Sequence, residues 1–397
     1  MTEFCSDFRA DAPFNRYALH YSASLPLRCH LSYRIGGEFH SEVFWLEAGE
    51  NADFRSFTDG YLADLAGDAG EVTLRANSVT GEAFDFTVLR FRTERVPVLA
   101  ERTYYFENDF CRIGVELAWG GGLSSFEDKH CPVPELSNLL NRHDTGRLVQ
   151  QSYYGQSEPP YRLGSFMNNP WCYNPVQGGD RGNHRSKLID AEREGDSLYV
   201  KCRPRDWGHD GGDTYAYMEN RYILDGDCLR VENRFVDFSG WPHRISDQEL
   251  PAFYTVSRLG NYYYYDGDAP WTNAPLSHKD DLPFWPDDWN YCTFTPSAQN
   301  TERWSAFVDD SLYGIGLFTP GADKIVAGRY CHDGSTDPNA NATNYIAPES
   351  RLHLHAFRPL SYSYLLCAGT LEHIRARFFA QKDTIRNPEL LAPENRQ

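Results

Sequence analysis

Residues 221–237 read RYILDGDCLRVENRFVD, and this stretch decides the fold. Leu229, Val231 and Phe235 alternate with Arg230, Glu232 and Arg234, the period of a strand with one apolar face. Asp225-Gly226 interrupts the alternation, and an Asp-Gly pair between two alternating runs predicts a hairpin. Working outward, DSLYVKCRP (196–204) and TYAYMENRYIL (214–224) lead into it. YYYYD, RWSAFVDD, YGIGLFTP, DKIVAGRYC, LHLHAF and SYSYLLCAG follow it, all short and rich in strand formers. Only LEHIRARFFAQK (371–382) has helical spacing, with Leu371, Ile374, Phe378 and Arg375 on one side.

Towards the N-terminus, RCHLSYRI, SEVFWLEAG, EVTLRANSV, FDFTVLRF and RTYYFEN repeat the alternation, separated by Gly, Asp and Asn. FRSFTDGYLADLAG (54–67) reads as a short helix or an extended loop. Pro97, within ERVPVLAER, marks a boundary. The expected architecture is therefore all-β: a small N-terminal β-sandwich over 1–105, then a large antiparallel β-supersandwich over 106–397. In the second part, Gly120-Gly121-Gly122 predicts a sharp bend or a close backbone approach within a strand context.

The chain has 397 residues, long enough for two or three domains. Its 38 basic and 56 acidic residues give a formal charge of −18, a field that repels nucleic acid and anionic lipid. No stretch approaches the ~18 apolar residues of a membrane span, and the first residues lack a secretion signal. Ten cysteines with no CxxC pair argue against a zinc ribbon and for free thiols in a reducing, cytoplasmic setting. Asn341-Ala342-Thr343 is then a chance match to a glycosylation sequon. No cofactor is expected. Aromatic residues reach 15%, an excess that suits strands and also sugar-stacking surfaces.

The order of a strand, the Trp119–Ser125 glycine bend, Asn138–Asn141 (NLLN), Gly146-Arg147 and the Tyr222–Asp237 strand pair resembles the galactose-mutarotase-like superfamily, over about residues 110 to 380. That resemblance implies a β-supersandwich and places the chain near sugar epimerases, polysaccharide lyases and domains of glycoside hydrolases. Epimerases of this type carry a histidine where this chain reads Asp247-Gln248-Glu249-Leu250-Pro251, so their mechanism does not transfer directly.

The site is expected in 143–185, a long loop-rich segment dense in His, Asp, Arg, Gln, Tyr, Asn and Trp. Glu249 enters an apolar run, where poor solvation raises a carboxyl pKa and suits it to acid–base work; an ion-paired strand-end residue is the competing reading. Hydrolysis needs a second carboxyl group, for which Asp180 in GGDRGNHR and Asp144 in HDTG are the candidates, with His184 beside the former. Asp144 can equally cap a turn. Elimination would instead use Tyr153, Tyr154 or His184 as base, with Arg147, Arg185 or Asn169 neutralising a uronate. His143, Gln151, Tyr173, Gln177 and Gln248 complete a substrate-binding set, and Trp171 and Trp285 offer stacking faces. Trp207, Trp241, Trp271 and Trp289 are further stacking candidates. His353 and His355 share a strand face but lack a third ligand, so no metal is expected. Asn339, Asn341, Asn344 and Tyr345 form another polar loop that either lines the site or only turns the chain. The expected function is hydrolysis of an oligo- or polysaccharide; a lyase, an aldose epimerase and a non-catalytic carbohydrate-binding protein or homo-oligomer subunit are the alternatives.

Overall fold

The computed structural model describes residues 1–56, 66–99, 101–133, 135–280, 282–284, 290–294 and 302–396. Residues 57–65 of the expected helix or loop, together with Trp285 and Trp289, lie outside the described residues.

Every alternating segment of the N-terminal part becomes a strand. Phe4–Ala10, Gly70–Ser78, Leu27–Ile35 and Glu38–Leu46 form one sheet in that spatial order; Gly49–Ser56, Arg16–Ala23 and Phe86–Glu94 form the facing one. Leu27, Cys29, Leu31 and Tyr33 turn to the same side and meet Tyr17, Leu19, Phe44 and Leu74 in a closed apolar core. This is the small sandwich.

The chain then runs through Thr103–Glu107 and Cys111–Glu116 to the glycine bend. A short 3-10 turn, Leu117–Trp119, ends in Gly120 and Gly121 at φ +60 and +76, which lets Gly122–Asp128 return antiparallel to Cys111–Glu116. A Cβ on Gly120 would lie 2.2 Å from the carbonyl oxygen of Gln177. Gly120→Ala should therefore cost roughly 2–4 kcal/mol of stability, from left-handed strain plus overpacking, read as a lower urea midpoint.

The hairpin of 221–237 forms as expected. Ala216–Asp225 pairs with Cys228–Asp237, and Gly226 opens the two-residue loop at φ +62. This pair lies near the middle of a nine-stranded antiparallel sheet, flanked by Ser197–Arg203 and Leu360–Thr370. A seven-stranded sheet faces it, built around Ile245–Val256, Thr343–His353 and Lys324–Tyr330. Between the two sheets Val200, Met218, Val231 and Leu366 meet Leu250, Phe253, Ile325 and Ile346. The large part is a sheet-on-sheet sandwich with one continuous core.

On the outside of the nine-stranded sheet lies the helix Leu371–Gln381. Thr370 caps its N-terminus through the amide of His373, and Leu371, Ile374 and Phe378 are buried against Trp304 and Phe318. Arg375 pairs with the fully buried Glu302 at 2.5 Å. The two sandwiches meet through buried charge: Lys201 donates to Asp53 at 2.9 Å, and Arg16 reaches Asp190 at 2.9 Å. No described helix is long and apolar enough to cross a membrane.

Candidate functional site

The outer face of the seven-stranded sheet is the floor of a cleft of about 730 Å³. Floor residues follow strand parity: Gln150 and Ser152 from one strand, Lys324 and Val326 from another, Tyr345 and Glu349 from a third. Ile245–Val256 departs from strict parity. Asp247 and Glu249 face the cleft, yet so do Ala252 and Tyr254, which an odd spacing separates from them. A register shift between Glu249 and Phe253 absorbs the extra residue and keeps both pairs on the cleft side.

The register has a chemical consequence. Ser152 stands opposite Glu249, Glu249 opposite Glu349, and Glu349 opposite Lys324, so one row of the sheet carries a hydroxyl, two carboxyls and an ammonium. Lys324 Nζ contacts Asp247 at 2.9 Å and Glu349 at 3.1 Å. Burial raises the Glu249 pKa, while the hydroxyls of Ser152, Tyr345 and Tyr154 pull it back by donating to the carboxylate. Burial also drives Glu349 up to about 7; Lys324 opposes this, and the neighbouring Glu249 and Asp247 add to it. Two carboxyl groups side by side in a partly desolvated floor hold a proton near neutrality.

Loops supply the walls. Asp144, Gly146 and Arg147 stand at one end, where Asp144 accepts from the Gly146 amide at 2.9 Å and pairs with Arg147 at 3.5 Å. Arg147 also donates to Asn341 and lies 5.3 Å from the Tyr330 ring centroid. A small hairpin, Gly164–Phe166 with Asn169–Trp171, carries Phe166, Met167 and Trp171 into the wall beside Trp207. Phe166 packs edge-on against both indoles, at 5.1 and 5.7 Å between ring centroids. Trp171 donates to Asn174 at 3.0 Å, which fixes its ring plane.

Of the residues singled out from sequence, Glu249, Asp144, Arg147, Tyr154 and Trp171 come together around this cleft, with Trp207 beside them. Gln248 stands behind it: its amide clamps the backbone of Tyr154, accepting from the N–H at 2.7 Å and donating to the carbonyl at 2.9 Å.

The others point elsewhere. Asp180 is fully buried and serves as a loop staple, accepting from the amides of Gly182, His184 and Gly211 and from the His184 ring. With its oxygens spent on its own loop and on the Gly211 amide it does not line the cleft, and His184 is held against it. Gln151, Tyr153 and Gln177 face the core because they have the opposite parity to Gln150 and Ser152: Tyr153 donates to Gln151, and Gln151 and Gln177 both donate to Asn220. Tyr173 is buried too, donating to Asp237 and stacking on His243. His143 is exposed and bonds the Asn339 carbonyl, Asn169 turns back to Met167, and Arg185 is exposed outside the lining. The His353 and His355 rings lie tilted to each other with centroids 4.2 Å apart, and no group of three metal-ligating side chains occurs among the described residues.

Glu349, Lys324, Ser152 and Tyr254 were not singled out by the sequence. Tyr345 was, as part of a polar loop of undecided role; it lines the floor and donates to Glu249.

No family model matches this sequence, and no curated protein matches it. Solved structures do. The chain is similar to a putative aldose 1-epimerase from Escherichia coli K12, with 13% identity, a TM-score of 0.41, and coverage of 68% of this chain and 99% of that one. It is similar to a galactose mutarotase-like protein from Lactobacillus casei (10% identity, TM-score 0.37, covering 67% and 99%). An alpha-galactosidase from Lactobacillus brevis matches at 9% identity and a TM-score of 0.39, over 70% of this chain and 42% of that one.

Proposed function

We propose that this chain is a carbohydrate-active enzyme that hydrolyses glycosidic bonds, with Glu349 and Glu249 as its acid–base pair. The observation that carries the reading is the register that sets these two carboxyls side by side on the floor of an aromatic-walled cleft. Glu349, raised to about 7, keeps a proton to give to the leaving oxygen. Burial raises Glu249 too, with the hydroxyls of Ser152, Tyr345 and Tyr154 opposing it, and in this reading Glu249 takes the ionised role and faces the anomeric carbon or its attacking water. Trp171, Phe166 and Trp207 offer ring faces and edges to the apolar side of a pyranose, as sugar-binding grooves require.

The test is incubation with a panel of oligosaccharides, following new reducing ends and the ultraviolet absorbance of unsaturated products. Reducing ends without absorbance support hydrolysis; absorbance growing with them means elimination and overturns it. Trp171→Ala should weaken substrate binding about tenfold, seen as a raised KM with kcat little changed, if the indole is a stacking platform.

One observation favours a second reading, aldose epimerisation. Both carboxyls rise from one face of one sheet, so they reach the same side of a sugar, a geometry suited to moving a proton between two neighbouring oxygens. Polarimetry of a freshly dissolved single anomer separates this from hydrolysis, because epimerisation speeds the optical change without cleaving any bond.

A further inference from the structure

The charges that line the cleft bear on which sugars it can accept. Among the described residues three cations line it, Arg147, Arg181 and Lys324. Each already has a carboxylate. Arg147 is 3.5 Å from Asp144, Arg181 is 3.2 Å from Asp210, and Lys324 sits between Asp247 and Glu349 at 2.9 and 3.1 Å. Arg147 is further occupied by the carbonyl and side-chain oxygens of Asn341 and by the Tyr330 ring. Two of the three, Arg147 and Lys324, are about four-fifths buried at the side chain, so these pairs are set into the cleft wall and not loosely drawn on its surface.

A uronate, sulfate or phosphate group on a sugar would enter this cleft without a free cation to meet it. It would have to break one of these pairs, leaving a carboxylate such as Asp144 or Asp247 partly desolvated beside a second anion. A hydroxyl group, by contrast, can donate to these same carboxylates and accept from the same cations without breaking any pair. The outcome does not depend on which member of the Glu249–Glu349 pair is ionised, because Asp144, Asp210 and Asp247 are enough to occupy all three cations.

We propose that the cleft selects uncharged sugars and rejects anionic ones, through cations that are all committed to carboxylates before any ligand arrives. This rests on the carbohydrate reading above and narrows it: the eliminating alternative, which requires a uronate, loses its substrate.

The test compares matched pairs that differ only at one carbon: glucose with glucuronate, galactose with galacturonate, mannose with mannuronate. Binding to the full chain at neutral pH is read by saturation-transfer NMR and titration. The expected result is at least one hexose that binds about tenfold or more tightly than its uronate. Equal or tighter binding of the uronate overturns the inference while leaving the carbohydrate reading intact. Binding of no sugar in any pair removes the carbohydrate reading, and the inference with it. Asp144→Asn, which releases Arg147, should narrow the gap between a hexose and its uronate several-fold; an unchanged gap would mean that ion pairing does not set the preference and would likewise overturn the inference.

Discussion

Glu249→Gln lowers kcat by roughly 10²–10⁴-fold and leaves substrate binding nearly unchanged, the size expected when a positioned proton-transfer or nucleophilic carboxyl is replaced by its isostere. The amide fills the same space at the register position opposite Ser152 and Glu349, and it still accepts from the Tyr345 hydroxyl. It cannot carry negative charge. Steady-state kinetics on any oligosaccharide that the native chain cleaves, with thermal melts of both proteins, separates this from a folding defect: a lost kcat with an unchanged melting temperature is the expected pattern. Retained kcat would take Glu249 out of the reaction.

Glu349→Gln has two effects, and the sign of the second follows from the direction of the pKa shift. As the proposed proton donor, Glu349 should also be worth about 10²–10⁴-fold in kcat, and the native enzyme should lose activity as pH rises through about 7 and the donor ionises. The stability effect runs through the same proton. The folded state raises this carboxyl from 4.5 to about 7, so it favours the protonated form more than the unfolded chain does. Its contribution is fully present below about pH 4.5 and is lost as pH climbs through about 7. Glutamine does not titrate, so the variant should gain stability relative to the native chain across that window and show a constant difference on either side. Urea midpoints at about pH 4, 6 and 8 measure this; a variant midpoint that falls relative to the native one as pH rises would contradict the raised pKa.

These two residues also mark what was legible in the sequence. Period-two alternation, helical spacing and turn residues were enough for the strands, the hairpin at 221–237, the glycine bend and the helix Leu371–Gln381, because each is encoded within a short run of neighbouring residues. The partnership of Glu249 with Glu349 spans one hundred residues of chain and depends on a register shift between Glu249 and Phe253 that no local pattern announces. Parity was the second obstacle. The strand Gln150–Ser152 is buried on both faces, so nothing in the sequence says that Ser152 looks into the cleft while Gln151 and Tyr153 look into the core. Asp180 failed for a different reason. Glycines on both sides of an acid suggest a backbone folded around a ligand, but here the backbone folds around the carboxylate itself, and the amides of Gly182, His184 and Gly211 take its oxygens. Aromatic content pointed to stacking surfaces, yet only position could tell that Trp171 and Trp207 line the cleft while Trp241 packs against Tyr173.

The most direct measurement is a crystal structure of the Glu249→Gln chain soaked with an oligosaccharide that the native chain cleaves. The account predicts the sugar lying across the seven-stranded sheet, its anomeric carbon facing position 249 and its glycosidic oxygen within hydrogen-bond reach of Glu349. A sugar bound away from this floor, or one with its anomeric carbon turned from both carboxyls, would contradict it.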